Sequence, residues 1–99
     1  MSNIVEFASF NLMKGASVSD FLLVSDKFDS VFLSAQKGYI SRKLVLCGEM
    51  WADYVLWETM EDALKALNIA NENAIACEYV SFMDEESIKL LHFSIERSY

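Results

Sequence analysis

Hydrophobic and polar residues repeat along this chain with two periods, and the switches between them mark its elements. Residues 4–12, IVEFASFNL, open β-branched and aromatic and predict a strand that ends at Lys14-Gly15. Ser17 then stands at a helix N-cap position, with Asp20 in the first turn. Phe21, Val24, Phe28, Val31, Phe32 and Ala35 recur at three- and four-residue steps, which predicts one helix over 18–36 with Gly38 as its stop. Residues 39–47, YISRKLVLC, and 50–57, MWADYVLW, predict a hairpin of strands about Gly48-Glu49. Thr59 caps a second helix whose inner positions are Ala63, Leu64, Leu67 and Ala70. The polar run Asn68 to Asn73 bends it, and a further turn or two follows over 73–83. Residues 87–95, SIKLLHFSI, predict the last strand. The order βαββαβ predicts an α+β, ferredoxin-like domain: an antiparallel four-stranded sheet with two helices on one face.

The strands depart from the alternation expected of a sheet covered on one side only. Ile4, Ala8, Phe10 and Leu12 oppose Val5 and Phe7 in the first. Ala52, Tyr54 and Leu56 oppose Trp51, Val55 and Trp57 in the third, and Leu91, Phe93 and Ile95 oppose Ile88, Leu90 and His92 in the last. Both faces are apolar, so both call for cover. The helices supply one cover and a second copy of the chain is the economical source of the other, because a few hundred Å² of exposed apolar sheet is abnormal for a monomer. The expectation is a homodimer with an inter-subunit barrel.

Composition sharpens this picture. The chain has 99 residues, which fits a single domain over 1–99, and 54% of them are hydrophobic, above the usual share. No apolar run approaches the roughly 18 residues of a membrane span. Eight Lys and Arg against fifteen Asp and Glu give a net charge of −7, and Arg42-Lys43 is the one adjacent basic pair. That balance argues against nucleic acid, which needs a basic face. Cys47 and Cys77 have no metal or redox spacing and predict reduced, packed thiols. With no basic leader at the N-terminus, the expected setting is cytoplasmic.

Gly38-Tyr-Ile-Ser-Arg-Lys-Leu44, followed by Trp51-Ala-Asp-Tyr-Val-Leu-Trp57-Glu-Thr-Met-Glu-Asp-Ala63, resembles the dimeric α+β barrel superfamily and within it the antibiotic-biosynthesis-monooxygenase-like (ABM-like) proteins. Those members open the second strand with glycine, end the third in tryptophan and start an acidic helix after a Ser/Thr turn. The resemblance is specific over about residues 38–66 and covers the whole chain in topology. It implies a small dimeric barrel protein and, as one activity, a cofactor-independent monooxygenase acting on a small aromatic or apolar molecule, with no cofactor. Haem-degrading members use an asparagine in the first strand, with a tryptophan and a histidine on the second helix. This chain carries Ala8, Lys65 and Ile75 at those places, so that pattern is not matched.

Two-residue alternation puts Trp51, Asp53 and Trp57 on one face of the third strand. Because aliphatic residues usually face helices, that face and the His92 face of the last strand are expected to line the inter-subunit barrel. There Trp51 and Trp57 would flank a flat ligand, and Asp53 and His92 would carry the chemistry, with His92 as general base on an acidic C–H or a phenol. Each has a structural alternative. His92 suits a hydrogen-bonded core histidine, Trp57 a core residue and Trp51 a barrel rim. Asp53, costly to bury alone, suits an ion pair with Arg42 or Lys43 across the hairpin. No metal site is expected from one histidine and scattered carboxylates. The competing functional readings are a non-catalytic ligand-binding dimer and a purely structural one whose barrel its own side chains fill.

Overall fold

A computed structural model describes residues 3–99. Four strands, β1 (Ile4–Asn11), β2 (Tyr39–Cys47), β3 (Met50–Trp57) and β4 (Lys89–Ser94), form one antiparallel sheet in the order β2-β3-β1-β4. The helices α1 (Val18–Lys27), α2 (Met60–Ala70) and α3 (Ala74–Ser81) complete the α+β, ferredoxin-like arrangement expected from the element order.

The caps are those that the sequence announces. Ser17 Oγ accepts the Asp20 N–H, and Thr59 Oγ1 accepts the Asp62 N–H, each satisfying an otherwise free donor of the first turn. The expected helix over 18–36 is α-helical only to Lys27. It continues as a π turn, Phe28–Phe32, and a 3-10 turn, Leu33–Ala35. The π turn stacks the rings of Phe28 and Phe32 at 5.6 Å, both within the core region. The expected bend after α2 is a full break, because Asn73 Oδ1 accepts the N–H groups of Ile75 and Ala76 and starts α3 afresh. Gly38 ends the first helical segment at φ +82°, and Asp62 occupies the space a side chain there would need.

Two clusters form the core between sheet and helices. Ile4, Phe32, Leu33, Val55, Trp57, Ala63 and Ala66 make one, and Phe10, Phe21, Tyr79 and Met83 the other. Full burial of Trp57, Phe10 and Phe21 contributes about 1.5–3 kcal/mol each. The opposite sheet face is open in the single chain. Val45, Tyr54, Leu91 and Phe93 stand about half exposed on it. Cys47 and Cys77 are exposed rather than packed, contrary to expectation. Among the described residues no helix is long and apolar enough to cross a membrane.

Candidate functional site

Small residues on the helices leave room against the sheet. Ala66 and Ala70 of α2 and Ala76 of α3 face Val55 and Trp57 of β3 across a cavity of about 160 Å³. Members of both core clusters line it, and its walls are almost wholly apolar. A cavity of about 150 Å³ with such walls stays dry and accepts one benzene ring.

Two polar groups interrupt the apolar wall. Asp53, nearly buried, has both oxygens engaged: Arg42 Nε donates to Oδ1 at 2.7 Å and Tyr79 Oη donates to Oδ2 at 2.7 Å. Arg42 also donates to Tyr79 Oη at 2.9 Å and to the carbonyl and hydroxyl of Ser25 on α1. Its guanidinium lies 5.3 Å from the Phe28 ring centroid and 5.2 Å from that of Tyr79. Burial raises the Asp53 carboxyl above its ordinary value, against the opposing pull of Arg42 and Tyr79. Burial and the Asp53 charge likewise push the Tyr79 phenol well up, so it stays a donor. The second group is Glu6, whose Oε1 lies 3.0 Å from His92 Nε2. Burial raises the Glu6 carboxyl, while the His92 hydrogen bond and charge work in the other direction. The indole N–H of Trp57 is buried with no acceptor among the described residues. Among those residues no group of three or more His, Cys, Asp or Glu side chains is placed to hold a metal ion.

No protein-family model matches the chain, and no curated protein matches it. Solved structures do. SnoaB from Streptomyces nogalater, a cofactor-independent oxygenase, superposes in its N63A form with a TM-score of 0.80 at 12% identity, over 99% of this chain and 97% of that one. A candidate antibiotic biosynthesis monooxygenase from Bordetella bronchiseptica superposes with a TM-score of 0.71 at 19% identity, over 94% and 96% of the two chains. The chain has the fold of the antibiotic-biosynthesis-monooxygenase-like proteins. A dimeric ferredoxin-like protein from an uncultured marine organism superposes as well, with a TM-score of 0.66 at 13% identity over 100% of this chain and 92% of that one.

Within this ABM-like fold, Trp51, Asp53, Trp57 and His92 do share one side of the sheet, but it is the side the helices cover, not an inter-subunit barrel interior. The expectation failed because the helices take the aromatic side chains of β3. Trp57 packs against Phe32, Leu33 and Ala66, and Trp51 meets the Phe21 ring edge-on at 5.2 Å. Trp57 and Asp53 line the cavity, whereas Trp51 lines a separate, more open hollow of mixed character with Leu22, Leu44, Asp26 and Asp29. Asp53 and His92 do not pair with each other. The cross-hairpin partner of Asp53 is Arg42, one of the two anticipated, and His92 pairs with Glu6. Sequence reading missed Glu6 and Tyr79. Glu6 carried a signal, an acid between Ile4 and Ala8 on an otherwise apolar strand face.

Proposed function

We propose that this chain binds a small, flat aromatic or apolar molecule in the cavity between sheet and helices and oxidises it with molecular oxygen, without metal or flavin. The observation that carries the reading is the apolar cavity of about 160 Å³ between sheet and helices, lined by the Trp57 ring among others. A compact aromatic compound suits a cavity of this size and lining. The fold shared with SnoaB, a cofactor-independent oxygenase, supports the oxygen chemistry. In that chemistry an activated ring CH₂ becomes C=O, one oxygen atom of O₂ enters the product, and the other leaves as water with the two hydrogens. Trp57 binds the ligand in this reading and Trp51 braces α1 through Phe21. Asp53 shapes the cavity wall, and the acid–base chemistry belongs to the β4 edge of the sheet, where His92 meets Glu6.

The open sheet face is covered by a second copy of the chain. Half-exposed Val45, Tyr54, Leu91 and Phe93 support this, as does the likeness to a dimeric ferredoxin-like protein. The two free thiols suit a reducing, cytoplasmic setting.

A second reading is non-catalytic binding. What favours it is that the charged groups on the wall are already engaged within the protein, Asp53 by Arg42 and Tyr79, Glu6 by His92. The test uses 2-indanone, a two-ring ketone with an activated CH₂, and indane as its hydrocarbon control. The oxygenase reading expects 2-indanone to bind and to consume one O₂ per indane-1,2-dione formed, and indane to give no oxygen uptake. Binding without oxygen uptake leaves the non-catalytic reading; no binding of either compound overturns both.

A further inference from the structure

Glu6 sits on β1 between Ile4 and Ala8, on the helix-covered face, and its side chain lines the cavity while that of His92 does not. The strand register sets the two opposite each other. Their side chains retain only 16% and 14% of their exposure, and Nε2 of His92 lies 3.0 Å from Oε1 of Glu6. The two carboxylates on the cavity wall differ in one respect. Arg42 and Tyr79 take both oxygens of Asp53, whereas on Glu6 only Oε1 has a hydrogen-bond partner among the described residues. Oε2 is the uncommitted acceptor.

We infer that Glu6 is the catalytic base of the cavity, taking a proton onto Oε2 from an acidic C–H of a bound aromatic ketone, and that His92 is a positioning residue behind it. This rests on the cavity being the binding site. In the step, the C–H bond next to the ligand carbonyl breaks, its electron pair delocalises into the enolate, and the proton bonds to Oε2. The His92 Nε2–H donates to Oε1 throughout and fixes the plane of the carboxylate. Burial supports the assignment by raising the Glu6 pKa, which makes its carboxylate a stronger proton acceptor than a surface glutamate. The groups that set this value are His92 on β4 and Asp53 on β3, the latter held by Arg42 of β2 and Tyr79 of α3.

The assignment predicts an activity that needs no oxygen. Under nitrogen in D₂O, the wild-type protein should catalyse deuterium exchange into the CH₂ groups of 2-indanone, followed by proton NMR. The rate should fall as pH drops through the raised Glu6 pKa. Glu6→Gln should bind 2-indanone and lose exchange by about 10²- to 10⁴-fold, the usual worth of a general base, and Glu6→Asp should recover part of it. His92→Gln should shift the acid limb of the pH profile, a change a purely structural role does not produce. Undiminished exchange in a Glu6→Gln protein that still binds overturns the assignment and leaves the cavity reading standing. Failure of 2-indanone to bind the wild type overturns both.

Discussion

Tyr79 on α3 donates to one oxygen of Asp53 while Arg42 on β2 donates to the other, each at 2.7 Å, and Arg42 closes the triangle by donating to Tyr79 at 2.9 Å. The β2–β3 hairpin is thereby tied to α3 beside the cavity, and the Ser25 contacts of Arg42 add α1. Removing one member strands a buried charge. Arg42→Met should cost about 3–5 kcal/mol in urea unfolding. Tyr79→Phe, which removes a hydrogen bond to a charged group, should cost about 1.5–3 kcal/mol. The double variant Arg42→Met/Asp53→Leu should be more stable than Arg42→Met alone. Equal or lower stability of the double variant would show that the charge pair does not govern this site.

Glu6 predicts a pH dependence of stability with a definite sign. Its folded-state pKa lies above its ordinary value, chiefly through burial. Between those two values the folded protein holds more protons than the unfolded chain, so stability falls as pH rises, by up to about 1.4 kcal/mol per pH unit. Glu6→Gln lacks this contribution. The difference in stability between wild type and Glu6→Gln, measured by urea unfolding from pH 4 to 8, should therefore move against the wild type as pH rises. A flat difference would mean that burial does not perturb this carboxyl.

The open sheet face predicts an assembly. Leu91 and Phe93 project from β4 on that face, about half exposed in the single chain. Native mass spectrometry should give a dimer for the wild type and a monomer for Leu91→Glu/Phe93→Lys, with the fold retained by circular dichroism. A wild-type monomer would remove the case for a covering copy.

Two glycines in the same left-handed backbone region should respond differently to alanine. Gly48 has φ +60° and open space around it, so Gly48→Ala should cost about 1–2 kcal/mol from backbone strain alone. At Gly38, with φ +82°, the new Cβ would also overlap the Asp62 carboxylate. Gly38→Ala should therefore lower the unfolding midpoint more than Gly48→Ala, and the difference should shrink in Gly38→Ala/Asp62→Ala. Equal losses at the two sites would show that Asp62 yields freely.

The fold was legible because its signals are local. Strand alternation, the caps Ser17 and Thr59, and glycines at the turns each depend on a few neighbouring residues. The site was half legible. Alternation placed Trp51, Asp53 and Trp57 on one side of β3, but with both faces apolar it could not say which side meets the helices. Side-chain type misled there, because Trp51 and Trp57 are taken up by Phe21, Phe32 and Leu33. The partners of Asp53 and His92 depend on register and strand order. Tyr79 reaches Asp53 from 26 positions away and Glu6 reaches His92 from 86, separations that no short-range pattern encodes.

The most direct test of the central claim is the methyl NMR spectrum of protein labelled at its alanines with ¹³C, recorded during titration with 2-indanone. Ala8, Ala66, Ala70 and Ala76 line the cavity, and Ala35 is exposed outside it. The account predicts saturable shifts at these four cavity methyls with Ala35 unmoved. No shift at the cavity methyls, or shifts confined to exposed alanines, would contradict it.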